Sequence, residues 1–315
     1  MSLPVVITSK QSLINIIDSK REQLLSLFIA SLDIKHASKE TYRRCLRQFM
    51  KWTSIQSIDL QNLTRESIIA YKNTLFEQGL SSLSVSAYIN SVRLFFEFCE
   101  ASKIFPNIAK GIRSPKRKRA FRKQPLTLTQ GKSLLEFAEA SDLRDRAIIN
   151  LLLRTGLRTI EVVRANIEDL TYKGGQRVLL VHGKGRSEKD NFVILTDNTY
   201  KPIEEYLASR IDLQDKTPLF TSGSNNSKGN RLTTRTISFI AKEGLKSIGI
   251  NGKEYTAHSL RHTTAVNILR AGGTLENAQH TLRHSSPLTT QIYTETLEEE
   301  RRLQNSGEAL LDSMY

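Results

Sequence analysis

Phosphate chemistry needs cations fixed in place, a group that exchanges protons near neutral pH, and a nucleophile. The second half of this chain holds all three kinds of side chain, in a run of short patterns. Arg158 stands in Thr155-Gly156-Leu157-Arg158-Thr159-Ile160-Glu161. Gly156 breaks one helical pattern and Arg158 opens the next, where a guanidinium and a helix N-terminus together suit a phosphate. The same arginine is equally placed for an ordinary ion pair with Glu161, one turn on. His258-Ser259-Leu260-Arg261-His262 sets His258 and Arg261 on one helix face. That pair offers a second guanidinium and a titratable imidazole, although a plain polar helix face has the same pattern. His262, one turn beyond His258, reads as structural support. His284, in Leu282-Arg283-His284-Ser285-Ser286, precedes Tyr293 by nine residues. A lone tyrosine is usually half-buried packing. Beside arginines and histidines gathered on a phosphate, its hydroxyl becomes a nucleophile. Lys184 lies in a polar, cation-rich stretch, His182 to Asn191, that contains two glycines.

The elements that must hold these groups are mostly helices. Apolar or amphipathic periodicity predicts helices near 10–30, 38–53 and 64–78, with Thr64 and Ser67 at the start of the third and Gly79 at its end. Tyr88, Val92, Phe95, Phe96 and Cys99 fall on one face of a further helix, with Ser84 or Ser82 as its cap. After residue 125, helices are predicted near 127–140, 142–154, 198–210, 233–248, 258–270, 274–281 and 288–312. The period changes in between. Val178 to Val181 and Phe192 to Leu195 are short β-type runs, and Gly174-Gly175 is a turn. The loop carrying Lys184 therefore tips a β-hairpin. The fold class is mainly α with a small β-sheet. The 315 residues suffice for about two domains at ~100–200 residues each.

The net charge is +14, a surplus that points to a polyanionic partner, nucleic acid being the commonest. The charge is concentrated: no acidic residue lies between Glu100 and Glu136. Residues 113–124 hold Lys116, Arg117, Lys118 and Arg119 in succession and few large apolar groups. They read as an extended basic linker able to lie along a DNA backbone. A solvated charge run or a nuclear-localisation patch has the same composition. Arg43, Arg44 and Arg47, with Lys51, give the second helix a basic face for DNA or for solvent. Residues 295–315 invert the balance, with six acidic against two basic side chains. Cys45 and Cys99 read as free core thiols, since no pair of Cys-x-x-Cys spacing exists. The histidines lack His-Glu-x-x-His spacing, so no metal site is expected. No apolar run approaches a membrane span, and the N-terminus has no basic start, so the expected location is cytoplasmic with no membrane partner.

Taken in order, Thr155-Gly156-Leu157-Arg158 with Glu161, the Gly183-Lys184-Gly185 hairpin, His258 to His262, Leu282 to Ser286 and Tyr293 make the chain resemble the tyrosine recombinases, the phage-type integrase family, over nearly its full length. The resemblance implies a helical, SAM-like core-binding domain at 1–112, the basic linker at 113–124, and a mixed α/β catalytic domain at 125–315 ending in an acidic tail helix at about 295–315. It implies that Tyr293 attacks a DNA phosphodiester and forms a 3′-phosphotyrosyl link, so no cofactor or ATP is needed to reseal. Arg158 and Arg261 would stabilise the charged transition state. His258 would take the phenol proton, and Lys184, with Lys189 as runner-up, would protonate the leaving 5′-oxygen. His284 would bond a phosphate oxygen. The implied partners are double-stranded DNA with specific, partly palindromic core sites, a homo-tetramer on that DNA with the tail docked on a neighbour, and accessory DNA-bending proteins. Roles as a mobile-element integrase and as an Xer-like resolvase of chromosome dimers both fit. A non-catalytic DNA-binding protein and a type IB topoisomerase are the remaining readings of this constellation. The chain departs from the family pattern at Arg283, where glycine usually precedes the histidine, and this bears on the position of His284.

Overall fold

The computed structural model describes residues 10–115, 123–182, 189–211, 213–225, 227–284, 288–304 and 306–315. Contacts divide the chain into two units, Met1–Lys118 and Arg119–Tyr315.

In the first unit, apolar side chains recur at helical spacing and fold inward. Helices α1 (Lys10–Ser31), α2 (His36–Ile55), α3 (Arg65–Glu77) and α4 (Ser82–Ala101) surround a core that includes Phe28, Phe49, Trp52, Tyr71, Phe95 and Phe96. Several ring pairs meet edge to face, among them Phe28 and Phe95, 5.7 Å apart at 88°, and Phe49 and Tyr71, 5.0 Å apart, an arrangement the ring quadrupoles favour. Thr64 and Ser67 form a capping box at the start of α3, and Gly79 follows its end at a φ of 75°. Helix α4 is capped by Ser81, whose hydroxyl accepts from the Ser84 N–H. The sequence reading favoured Ser82 or Ser84, but both lie inside the first turn, where their own N–H groups need a cap. Cys45 and Cys99 are buried and free.

In the second unit, helix α6 (Leu143–Thr155) runs through the core with Ile148, Leu151 and Leu152 buried, flanked by α5 (Leu128–Glu139) and, past the sheet, α8 (Asp197–Ala208) and α9 (Thr234–Ser247). A short helix, α7 (Thr159–Arg164), follows α6 directly. Strands β1 (Leu170–Lys173), β2 (Gln176–Val181) and β3 (Asn191–Ile194) form an antiparallel sheet in that order, with Thr171 opposite Val178 and Leu179 opposite Val193. β1 has no counterpart in the sequence reading, because Thr171, Tyr172 and Lys173 are all exposed and leave no apolar alternation to find. Its turn is legible: Gly174 and Gly175 both take positive φ, as a tight hairpin requires.

The chain closes with α10 (Ala257–Arg270), α11 (Leu275–Leu282), α12 (Leu288–Gln304) and α13 (Gly307–Asp312). A single helix over 288–312 was expected. The chain instead starts a new helix at Ser306, whose hydroxyl accepts from the Ala309 N–H at 3.0 Å. Among the described residues, no helix is long and apolar enough to cross a membrane.

Candidate active site

The site begins at the break between α6 and α7. Gly156 ends α6 in the left-handed conformation, at a φ of 60°. A Cβ built there would come within 2.5 Å of Leu282 Cδ2. Together the two facts favour glycine. The turn makes Arg158 the N-cap of α7. Its backbone N–H donates to Glu161 Oε2 at 2.7 Å and its Nη1 donates to Oε1 at 2.8 Å. The ordinary ion pair anticipated from the spacing therefore exists, and it fixes the arginine beside a cleft. Glu161 is 3% exposed. Burial raises its pKa, but the Arg283 charge and the Arg158 N–H and charge outweigh that and hold it below the usual carboxylate value.

Helix α10 brings the second arginine. A lysine prepares its entry: Lys242 Nζ donates to the carbonyls of Asn251, Gly252 and Tyr255 at 3.1, 2.8 and 3.2 Å, gripping the loop that leads into α10. Arg261 is buried. Its two terminal nitrogens donate to Gly156 O and Leu282 O, tying α10 to the glycine turn and to the end of α11. Burial, then the charges of Arg158 and Arg283, push its pKa down to about 9, still cationic at neutral pH.

His258 sits in the first turn of α10 with an exposed surface. Desolvation by the surrounding protein, then the charges of Arg261, Arg158 and Lys123, lower its pKa, which favours the neutral imidazole at pH 7. With Arg158 and Thr256 it borders a cleft of about 260 Å³. His262 stacks edge-on against His258 at 4.7 Å and lies 5.4 Å from the Tyr293 ring.

Tyr293, on α12, is 2% exposed. Its ring lies nearly parallel to that of His284, 6.2 Å away at 11°. Burial pushes the phenol up to about 12, against the pull of Arg261 and Arg158. His284 shares Nδ1 with the Thr290 hydroxyl at 3.0 Å. Burial, then Arg261, Arg158 and Arg283, push its pKa down to about 3.

Arg158, His258, Arg261, His284 and Tyr293 thus gather in one place, with the same two guanidinium charges acting on both histidines and the phenol. Such a set can hold an anion against a hydroxyl. Lys184 and the run Lys116 to Arg119 lie outside the described residues, as do Ser285 and Ser286. Lys189, the runner-up lysine, is bound to buried Asp169 at 2.5 Å and to Glu168 at 3.1 Å. On α2, Arg43 pairs with Glu40 at 2.6 Å and Arg47 with Glu22, while Arg44 is exposed. Among the described residues, no group of three or more His, Cys, Asp or Glu is arranged to hold a metal ion.

The sequence pairs Glu161 with one arginine, and the structure gives it two, Arg158 and Arg283. Two further members of the site, Thr290 and Lys123, are not singled out by the sequence. Thr290 is fully buried and partners His284. It stands three residues before Tyr293, so helical spacing alone places it on the tyrosine's face. Lys123 donates to Lys253 O at 2.6 Å and its charge reaches His258. Nothing in the sequence distinguishes it from its basic neighbours.

Comparison with known proteins follows this geometry. Residues 124–300 match the family model described as the phage integrase family, and residues 25–103 match the phage integrase N-terminal SAM-like domain. The chain is 31% identical over 278 residues to the tyrosine recombinase XerC of Leptospira interrogans, covering 84% of this chain and 86% of that one. Its fold is similar to that of the XerH site-specific recombinase bound to palindromic difH substrate (TM-score 0.71, 21% identity, 96% of this chain and 91% of that chain). It is also similar in fold to the Tn1549 transposon integrase in complex with a circular intermediate DNA (TM-score 0.69, 18% identity, 89% and 98%). With more than half its length matched by the family model and a relative of that identity along most of the chain, the protein belongs to the phage integrase family and is a tyrosine recombinase.

Proposed function

We propose that this enzyme cuts and rejoins double-stranded DNA at specific, partly palindromic sites, with Tyr293 as nucleophile. The observation that carries the reading is the packing of Tyr293 against His262 and His284, with His258 against His262, Arg261 bound to Gly156 O and Leu282 O, and Arg158 on the same glycine turn. The phenol oxygen attacks the scissile phosphorus. A P–O bond to Tyr293 forms as the bond to the 5′-oxygen breaks, leaving a 3′-phosphotyrosyl link. Neutral His258 takes the phenol proton and Lys184 supplies one to the departing oxygen. Arg158 and Arg261 meet the charge that grows on the non-bridging oxygens, and His284 bonds one of them. A 5′-hydroxyl from a partner strand then reverses these steps, so no cofactor enters.

Tyr293 is covered in the DNA-free protein, so in this reading α12 shifts on DNA binding to bring the phenol to the phosphate. We take residues 1–112 and 125–315 to grip the duplex together, joined by the basic stretch 113–124. Arg43, Arg44, Arg47 and Lys116 to Arg119 contact the phosphate backbone. The assembly that cuts is a homo-tetramer on two sites in the cytoplasm, aided by DNA-bending proteins and acting for a mobile element. Resolution of chromosome dimers is the second reading, favoured by the Xer names of the relatives. A non-catalytic role is disfavoured by the complete set of site residues.

The test expresses wild type and Tyr293→Phe in bacteria, denatures the lysate, and sequences DNA that stays attached to protein. The expected result is one short, partly palindromic site held by wild type alone. Attachment at scattered sites contradicts site specificity. Tight DNA binding with no attachment by either protein contradicts catalysis.

A further inference from the structure

The family pattern has glycine where this chain has Arg283, and the structure gives that side chain a job. Arg283 ends α11 in the left-handed conformation, at a φ of 55° and a ψ of 46°. An L side chain adopts that conformation only at a cost. The cost is offset by contacts that glycine lacks. The guanidinium is 6% exposed, and its Nη2 donates to Glu161 Oε2 at 2.9 Å. Nη1 donates to Thr281 O at 2.6 Å.

Glu161 is the carboxylate that holds Arg158. With Arg158 and Arg261 alone, it would cancel one of two positive charges. Arg283 adds a third cation, its side chain 6% exposed, and restores the surplus to two. It also bridges α7 to the residue immediately before His284, while Arg261 grips the preceding carbonyl, Leu282 O. The segment that delivers His284 is thereby fixed at two successive residues. The charge of Arg283 reaches both Arg261 and His284.

We propose that Arg283 is a positioning residue for the known reaction: by binding Glu161 it balances the carboxylate's charge, leaves Arg158 with net positive potential for a phosphate, and sets the place of His284. This rests on the reading that Arg158 and Arg261 hold the scissile phosphate.

Two measurements separate the inference from that reading. One is the affinity of the DNA-free protein for inorganic phosphate, by titration calorimetry. The other is the rate of covalent attachment to a nicked duplex carrying the captured site, as a function of pH. Arg283→Met keeps bulk without charge, Arg283→Lys keeps charge with fewer donors, and Arg283→Gly removes the side chain while suiting the backbone. The Met and Gly variants should bind phosphate about three- to tenfold more weakly and cleave about ten- to a hundredfold more slowly. The Lys variant should recover part of both. A cooperative melt of Arg283→Gly, in which relief of the left-handed strain is set against loss of the Glu161 ion pair, separates the effect from misfolding. Wild-type phosphate affinity and cleavage in the Gly and Met variants would overturn the inference and leave the cleavage reading intact. A wild type that never attaches to DNA, with weaker phosphate binding in the Met variant, would overturn that reading and support the charge role. Failure on both counts would remove both.

Discussion

Burial sets the protonation of Tyr293 before any substrate is present. Its phenol is pushed up to about 12 although two guanidinium charges pull it down. The sign of the linkage follows. A folded pKa above the unfolded value of about 10 stabilises the fold fully below pH ~10, and that stability is lost as pH rises through the folded value. The spectroscopic consequence is direct. Phenolate absorbance of wild type minus Tyr293→Phe should show no ionisation of this residue below about pH 11 in the DNA-free protein. A difference signal rising near pH 10 would mean the ring is accessible. The residue types were legible because phosphate chemistry draws on few side chains. The burial was not, because it arises from the way three successive helices, α10, α11 and α12, fold back around one ring, which no local pattern records.

At the scale of elements, the site hangs on a single glycine turn. Gly156 combines a positive φ with a position where an added Cβ would meet Leu282 Cδ2 at 2.5 Å, and its carbonyl receives Arg261. Gly156→Ala should destabilise the protein by about 1–3 kcal/mol through left-handed strain and overpacking. It should also loosen Arg261, so cleavage falls further than the loss of folded protein explains. Urea unfolding and single-turnover cleavage on the same preparation check both. Most helices were readable because apolar spacing and caps such as Thr64 with Ser67 act within a few residues. β1 was not, since its pairing with β2 rests on backbone hydrogen bonds and leaves no apolar signature on exposed Tyr172 and Lys173. The restart at Ser306 was hidden by an acidic and apolar pattern that continues across it.

At the scale of the whole molecule, charge and tail divide the work. The surplus of +14 supplies a salt-dependent hold on DNA. The tail serves its own fold first. Leu297 is 9% exposed, and Glu300 holds Arg270 of α10 through two oxygens, 2.6 and 2.8 Å from Nη2. Beyond that point Leu303, Leu310 and Leu311 face outward. The sequence reading treated residues 295–315 as one tail for a neighbour. The structure assigns its first turns to the protein itself. Removing residues 305–315 should therefore leave the melting temperature within about 2 °C of wild type while reducing the tetramer proposed to form on DNA. Removing 297–315 should lower the melting temperature as well. Calorimetry and sedimentation of each DNA complex distinguish the two, and an unchanged tetramer after the shorter truncation would rule out a role for α13 in assembly.

If one phenolic oxygen takes the phosphate, the bond it forms can be found. Nuclease and protease digestion of the covalent complex, followed by mass spectrometry, locates the attached nucleotide. A nucleotide linked through its 3′-phosphate to the peptide containing Tyr293, and to no other peptide, is expected. A nucleotide on a different residue, or a 5′-phosphate linkage, would contradict it.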